Sequence, residues 1–240
     1  MSQMIVYEIW ECQAQGCKFR FPVGEEEKQR HWKERCPRCG DSIVMKARYE
    51  LPAEANQPYR NQPEDNCKVH FAGLLDNIRS AWNVGSMLRS ADGAGFQHLY
   101  LCGITPTPHH PKVVNTSLGA EESISWSYHP NSVEMARELK AEGKKLAALE
   151  CGAPASRFTP ISIFSALPFL SEGQSAANVV LMVGNEKYGL DPALLDLCDR
   201  VLTIQMLGKK GSLNVAVAFG IAAYFLVKNY APLSCDDENI

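Results

Sequence analysis

The chain reads as an α/β protein: a parallel sheet with helices on both faces, preceded by a small cysteine-rich unit. Three observations predict this. From Cys67 onward, strand-like and helix-like stretches alternate, as they do where helices cross over between parallel strands. Two late strands break into glycine-flanked loops: residues 179–183 run into Gly184-Asn185-Glu186-Lys187-Tyr188-Gly189-Leu190, and residues 201–204 lead to Gly208-Lys209-Lys210-Gly211-Ser212-Leu213-Asn214. Four of the nine cysteines fall within the first forty residues.

Those four are Cys12, Cys17, Cys36 and Cys39. In Cys36-Pro37-Arg38-Cys39-Gly40, two thiolates can face one ion while Gly40 takes a left-handed turn. The first pair is spaced more widely but still within a ligand turn. Strand-like flanks at 5–10 and 42–49 make residues 1–50 a candidate zinc ribbon. Its Cys₄ site would be structural, with no open position for catalysis, and would substitute for a core that so short a segment cannot build. His31 is either a replacement ligand or a solvated side chain. Lys18, Arg20, Lys28, Arg30, Lys33, Arg35, Arg38, Lys46 and Arg48, interleaved with Phe19, Phe21 and Trp32, form either an RNA-contacting face or a solvated surface. Residues 51–66, rich in Pro, Asn and Gln, read as a linker.

In the domain over 67–233, strands are expected at 70–75, 98–102, 145–150, 179–183 and 201–204. Helices are expected at 84–94, closed by Gly95, at 131–142 with Asn131 or Ser132 as cap, around 192–198, and from Ser212. Asn83 fits the N-cap of the first helix. Residues 234–240 read as a frayed acidic tail.

Composition narrows the function. With 240 residues and 45% hydrophobic content the chain can build a real core, and its net charge of -3 excludes a polycation. Nucleic-acid contacts would therefore need local basic patches. The apolar run 215–227 is too short to span a membrane, and no secretory leader precedes the first cysteines. A cytosolic location is expected, where cysteines serve as metal ligands or buried thiols. Cys67, Cys102, Cys151, Cys198 and Cys235 read as ordinary thiols, and His109-His110-Pro111 as a polar loop.

Buried strands that end in glycine loops build ligand sites in α/β proteins. Here the ligand is not a phosphate held in a P-loop, because Leu190 and Asp191 stand where Lys and Ser/Thr are required. No Gly-x-Gly-x-x-Gly follows a predicted strand, and Glu186 would repel phosphate. The loops either suit a cationic ligand, or one that needs hydrogen-bond acceptors, or are ordinary strand-to-helix turns.

The segment Asn83-Val84-Gly85-Ser86-Met87-Leu88-Arg89-Ser90-Ala91-Asp92-Gly93-Ala94-Gly95 resembles the first motif of the SpoU family of RNA methyltransferases, in the SPOUT superfamily. Residues 184–190 resemble the second motif, residues 204–218 the third, and Thr116-Ser117-Leu118-Gly119-Ala120-Glu121 a further shared segment. The motifs stand in the family's order over about residues 67–231. Gln205 departs from the family's usual Pro, which changes loop stiffness more than binding, since backbone atoms do the work there.

The resemblance implies a C-terminal trefoil knot holding bent S-adenosylmethionine, and a homodimer. It implies methyl transfer to a ribose 2'-hydroxyl of tRNA or rRNA; the alternative is a non-catalytic RNA-binding protein that retains the fold. Cofactor contacts are implied for Val183, Gly184, Asn185, Glu186, Gly189, Ile204, Met206, Gly208, Ser212 and Leu213. Catalytic roles are implied for Asn83, Arg89, Glu186, Ser212 and Asn214. Arg89 clamps the RNA phosphate and stabilises the developing alkoxide in this reading, since a guanidinium hardly deprotonates. Glu186 orients Arg89 or the loop, and Asn83 and Ser212 bond the ribose. Asn214 and Ser212 also fit a helix start, and residues 215–227 serve knot packing, the dimer interface or simple core burial.

Overall fold

A computed structural model of the chain describes residues 4–25, 28, 34–52, 70–151, 159–165 and 178–230. His31, Trp32, Cys67, most of the expected linker and the acidic tail lie outside the described residues. The chain divides into two units, Met1–Gln62 and Pro63–Ile240.

The first unit is a three-stranded antiparallel sheet. β1 (Met4–Cys12) lies between β2 (Arg20–Gly24) and β3 (Ile43–Pro52). β3 reaches two residues into the stretch expected as linker, and β2 was not foreseen. Glu8 is buried on β1 and accepts from the Trp10 indole; Lys28 and Arg48 complete its ion pairs. Lys28, by hydrogen bond, is the main cause holding its carboxyl below the usual value. Lys46 pairs with Glu11, so part of the basic face is neutralised within the unit.

The second unit is built on seven parallel strands in the order β6-β5-β4-β9-β7-β10-β8. They are β4 (His70–Asp76), β5 (His98–Cys102), β6 (Ser125–His129), β7 (Lys145–Leu149), β8 (Ile161–Ser162), β9 (Asn178–Val183) and β10 (Arg200–Thr203). The helices are α1 (Ala81–Ala94), α2 (Pro111–Ser117), α3 (Ala120–Ser123), α4 (Ser132–Ala141), α5 (Pro192–Leu197) and α6 (Val215–Tyr230). The expected α/β class is thus observed.

Side chains alternate along the central strands. Leu75, Leu181 and Val183 join Val84, Met87, Leu88, Phe219 and Leu226 of α1 and α6 in one core. Leu74, Val180 and Met182 join Met135, Leu139, Leu194 and Leu195 of α4 and α5 in the other. A strand buried on both faces is apolar throughout, which is why these runs were legible.

One cap differs from expectation. Ser80, not Asn83, caps α1: its Oγ accepts the Asn83 N–H at 3.3 Å. The helix begins at Ala81, three residues before the expected start, which places Asn83 in its first turn and leaves its side chain for other work. Gly95 ends α1 at φ 78° and Asn131 caps α4, as expected.

Candidate functional site

At the carboxyl ends of β7, β9 and β10 opens a cleft of about 560 Å³. Crevices outside the carboxyl ends of parallel strands are where such sheets hold ligands, and ligand pockets run roughly 300–1,000 Å³. β9 lies between β4 and β7, both earlier in the chain, so the cleft sits where the strand order turns back on itself.

One wall is the loop after β9. Gly184 allows the chain to fold back on itself: a Cβ there would lie 2.2 Å from the Gly189 carbonyl carbon and 2.2 Å from the Leu190 nitrogen. Asn185 and Gly189 exchange backbone hydrogen bonds at 2.9 and 2.8 Å. The Asn185 side-chain oxygen accepts the N–H groups of Lys187 and Tyr188, and its amide donates to the Asn77 carbonyl at 2.7 Å.

Glu186 ties this loop to α1. Its carboxylate accepts the backbone N–H of Arg79 at 2.9 Å, the N–H of Ser80 at 3.0 Å and the Asn83 amide at 3.0 Å. Desolvation pushes its pKa up, but these donors outweigh it and hold the carboxyl below its usual value. The same Asn83 accepts from the Asn214 amide at 3.1 Å, while the Asn214 oxygen caps α6 through the Ala216 N–H at 2.9 Å. Glu186, Asn83 and Asn214 therefore form one relay across three distant segments. Asn214, not Ser212, starts the helix.

The opposite wall is the loop after β10. Ile204, Gly211, Ser212 and Leu213 line the cleft. Of the expected cofactor contacts, Val183, Gly184, Asn185, Glu186, Gly189, Ile204, Ser212 and Leu213 line it, whereas Met206 and Gly208 do not. Ser212 makes no hydrogen bond among the described residues. Arg89 is exposed on α1, does not line the cleft of its own chain, and has no partner among the described residues. Its neighbour one turn on, Gly93, abuts the Tyr224 hydroxyl of α6.

Sequence reasoning missed Glu150 and Cys151 at the end of β7, both lining the cleft. The Glu150 carboxylate accepts the Leu190 N–H at 3.0 Å and the Cys151 N–H at 2.9 Å. A carboxylate just past a strand end, beside a cleft, was the available signal.

In the first unit the four thiol sulfurs of Cys12, Cys17, Cys36 and Cys39 lie within 4.8 Å of one another. Cys12 and Cys39 are 3.4 Å apart, and Cys17 and Cys36 3.8 Å. A tetrahedral zinc with Zn–S near 2.3 Å needs sulfurs about 3.8 Å apart, so the donor set fits. Both turns close alike: Gly40 at φ 77° follows Cys39, and Lys18 at φ 48° follows Cys17.

A parallel α/β sheet with a ligand cleft at its strand ends is the class defined so far. Residues 71–224 match the SpoU rRNA Methylase family, more than half of the chain, and the chain belongs to that family. It is 34% identical over 155 residues to the 23S rRNA (guanosine(2553)-2'-O)-methyltransferase RlmP of Bacillus subtilis, covering 64% of this chain and 56% of that one. It is 27% identical over 151 residues to a tRNA (guanosine(18)-2'-O)-methyltransferase of Thermus thermophilus, covering 63% and 71%. Among solved structures it resembles the SpoU methyltransferase AviRb of Streptomyces viridochromogenes at TM-score 0.55 and 25% identity, over 78% of this chain and 67% of that one. The chain thus spans little more than half the length of the Bacillus relative.

Proposed function

We propose that the chain transfers a methyl group from S-adenosylmethionine to a ribose 2'-hydroxyl of tRNA or rRNA. One observation carries this: the Glu186–Asn83–Asn214 relay joins the three motif segments at the cleft. The relatives named as 2'-O-methyltransferases of 23S rRNA and of tRNA support the same class.

The cofactor would be held by the backbone of Val183, Gly184, Asn185 and Gly189 on one side and by Ile204, Ser212 and Leu213 on the other. It supplies a methyl group already activated on a sulfonium. The loop 205–213 makes no hydrogen bond among the described residues, so its backbone groups remain available to a ligand. Asn83 and Ser212 orient the ribose so that its 2'-oxygen attacks in line. As the new O–C bond forms, the old S–C bond breaks and the hydroxyl proton leaves to solvent.

Arg89 stabilises the developing alkoxide and clamps the neighbouring phosphate. Because it does not line its own cleft, we assign it to the cleft of a second copy in a homodimer. The exposed stripe Val217, Ile221 and Tyr224 on α6 is the interface, and it adjoins Arg89 through Gly93. The Cys₄ site holds a structural zinc. β9, entering between strands laid down earlier, suits a threaded, knotted C-terminal end. No helix among the described residues is long and apolar enough to cross a membrane; a cytosolic RNA is the partner.

Calorimetry with S-adenosylmethionine, followed by tritium transfer from its labelled methyl into bulk tRNA and rRNA, tests the proposal. Cofactor binding and label in alkali-resistant dinucleotides are expected. RNA binding without cofactor binding would instead establish the non-catalytic alternative. Zinc is tested separately: purified chain should carry one equivalent, and Cys36→Ser should lose it.

A further inference from the structure

α1 opens with a large aromatic side chain that the core does not use. Trp82 is 60% exposed, and the Lys112 ammonium lies 4.9 Å from its ring centroid. Beside them is an open hollow of about 500 Å³, walled by Arg79, Trp82, Pro106, His110 and Lys112 and sharing Glu186 with the cofactor cleft. The hollow is therefore next to the cleft, and Trp82 directly precedes Asn83 in the chain.

The charge balance favours an anion. Neither the Arg79 guanidinium nor the Lys112 ammonium has a carboxylate partner among the described residues. Glu186, the one acid in the wall, already spends its oxygens on the Arg79 and Ser80 N–H groups and the Asn83 amide. His110 accepts the Lys112 N–H on Nδ1 at 3.1 Å, so in the neutral ring Nε2 carries the proton and can donate. An accessible indole flanked by unpaired cations is the composition of a stacking platform for single-stranded nucleic acid, where an aromatic face takes any base and cations follow the backbone.

We propose that this hollow holds the nucleotide adjoining the methylated ribose, with its base stacked on Trp82 and its phosphate between Arg79 and Lys112. The inference rests on the methyl-transfer reading and adds the RNA subsite to it. The Lys112 ammonium, now over the ring, moves to the phosphate when the base enters.

Fluorescence anisotropy of a labelled single-stranded RNA hexamer of mixed sequence, with the full chain and S-adenosylmethionine present, tests this. Trp82→Ala should weaken binding by about 5- to 100-fold, and Trp82→Phe should keep most of the affinity. Lys112→Ala should lower the slope of log affinity against log salt by about one. In the transfer assay Trp82→Ala should raise KM for RNA much more than it lowers kcat. Calorimetry should show cofactor affinity unchanged in each variant, which also certifies folding. Wild-type chain that binds no S-adenosylmethionine would sink the underlying function. Wild-type chain that binds both ligands, with Trp82→Ala holding the hexamer as tightly, would overturn the subsite alone.

Discussion

The two loops that wall the cleft are held in opposite ways. Residues 184–190 are cross-braced by the Asn185–Gly189 pair, by Glu186 on α1 and by Glu150 on Leu190. Residues 205–213 make no hydrogen bond among the described residues, and Leu207 is 90% exposed. One wall is braced by its own hydrogen bonds; the backbone groups of the other are left for a ligand to bond. The braced wall suits positioning, and the loose wall suits entry and release.

The sharpest way to break the contrast is to unbrace the first loop. Gly184→Ala places a methyl against two backbone atoms that cannot yield cheaply. Stability should fall by about 1–3 kcal/mol in denaturant melts, and calorimetric cofactor binding should be lost; retained binding would mean the brace is dispensable.

Arg89→Ala probes the reverse case, a group outside the wall altogether. Transfer should fall by about 10²–10³-fold, as for loss of one transition-state donor, while cofactor affinity stays close to wild type. An equal loss of both would place Arg89 in cofactor binding.

A smaller effect is expected at Glu186. Glu186→Ala leaves the Arg79 and Ser80 N–H groups and the Asn83 amide without their acceptor and should cost about 1–2 kcal/mol at neutral pH. The carboxyl is held below its ordinary value of 4.5 in the folded chain. Its stabilisation is therefore complete above that value and is lost as pH falls through the lower, folded one. The difference between wild type and Glu186→Ala should be constant from neutral pH to about pH 5 and shrink in more acid solution; a constant difference there would remove the charge from the argument.

The least disturbance should come from the loose wall. Leu207→Ser should change stability by no more than about 0.5 kcal/mol. A larger shift in the melting curve would show that this loop is held after all.

Much of the fold could be read from local pattern. The central strands were legible because burial on both faces leaves an unbroken apolar run, and the knuckle at Cys36–Gly40 because its spacing and glycine have one common geometry. β6 was missed because Ser125-Trp126-Ser127-Tyr128-His129 is an edge strand with no buried residue. α2 and α3 were missed because they are too short to show a helical period. At the site, the glycine loops marked the cleft, but Glu150 stood outside every motif. Asn83 had the residue type of a cap, yet a serine three positions earlier took that role.

What could be determined from residue order was local: which stretches are strands, where a turn needs glycine, and which thiols can share an ion. These follow from periods of two and three to four residues and from spacings within one turn. The encounter of Arg79 with Glu186 across 107 positions, and the absence of Arg89 from its own cleft, were decided only by the folded chain. A side chain's partner depends on how the sheet closes in space, and no local spacing encodes that distance.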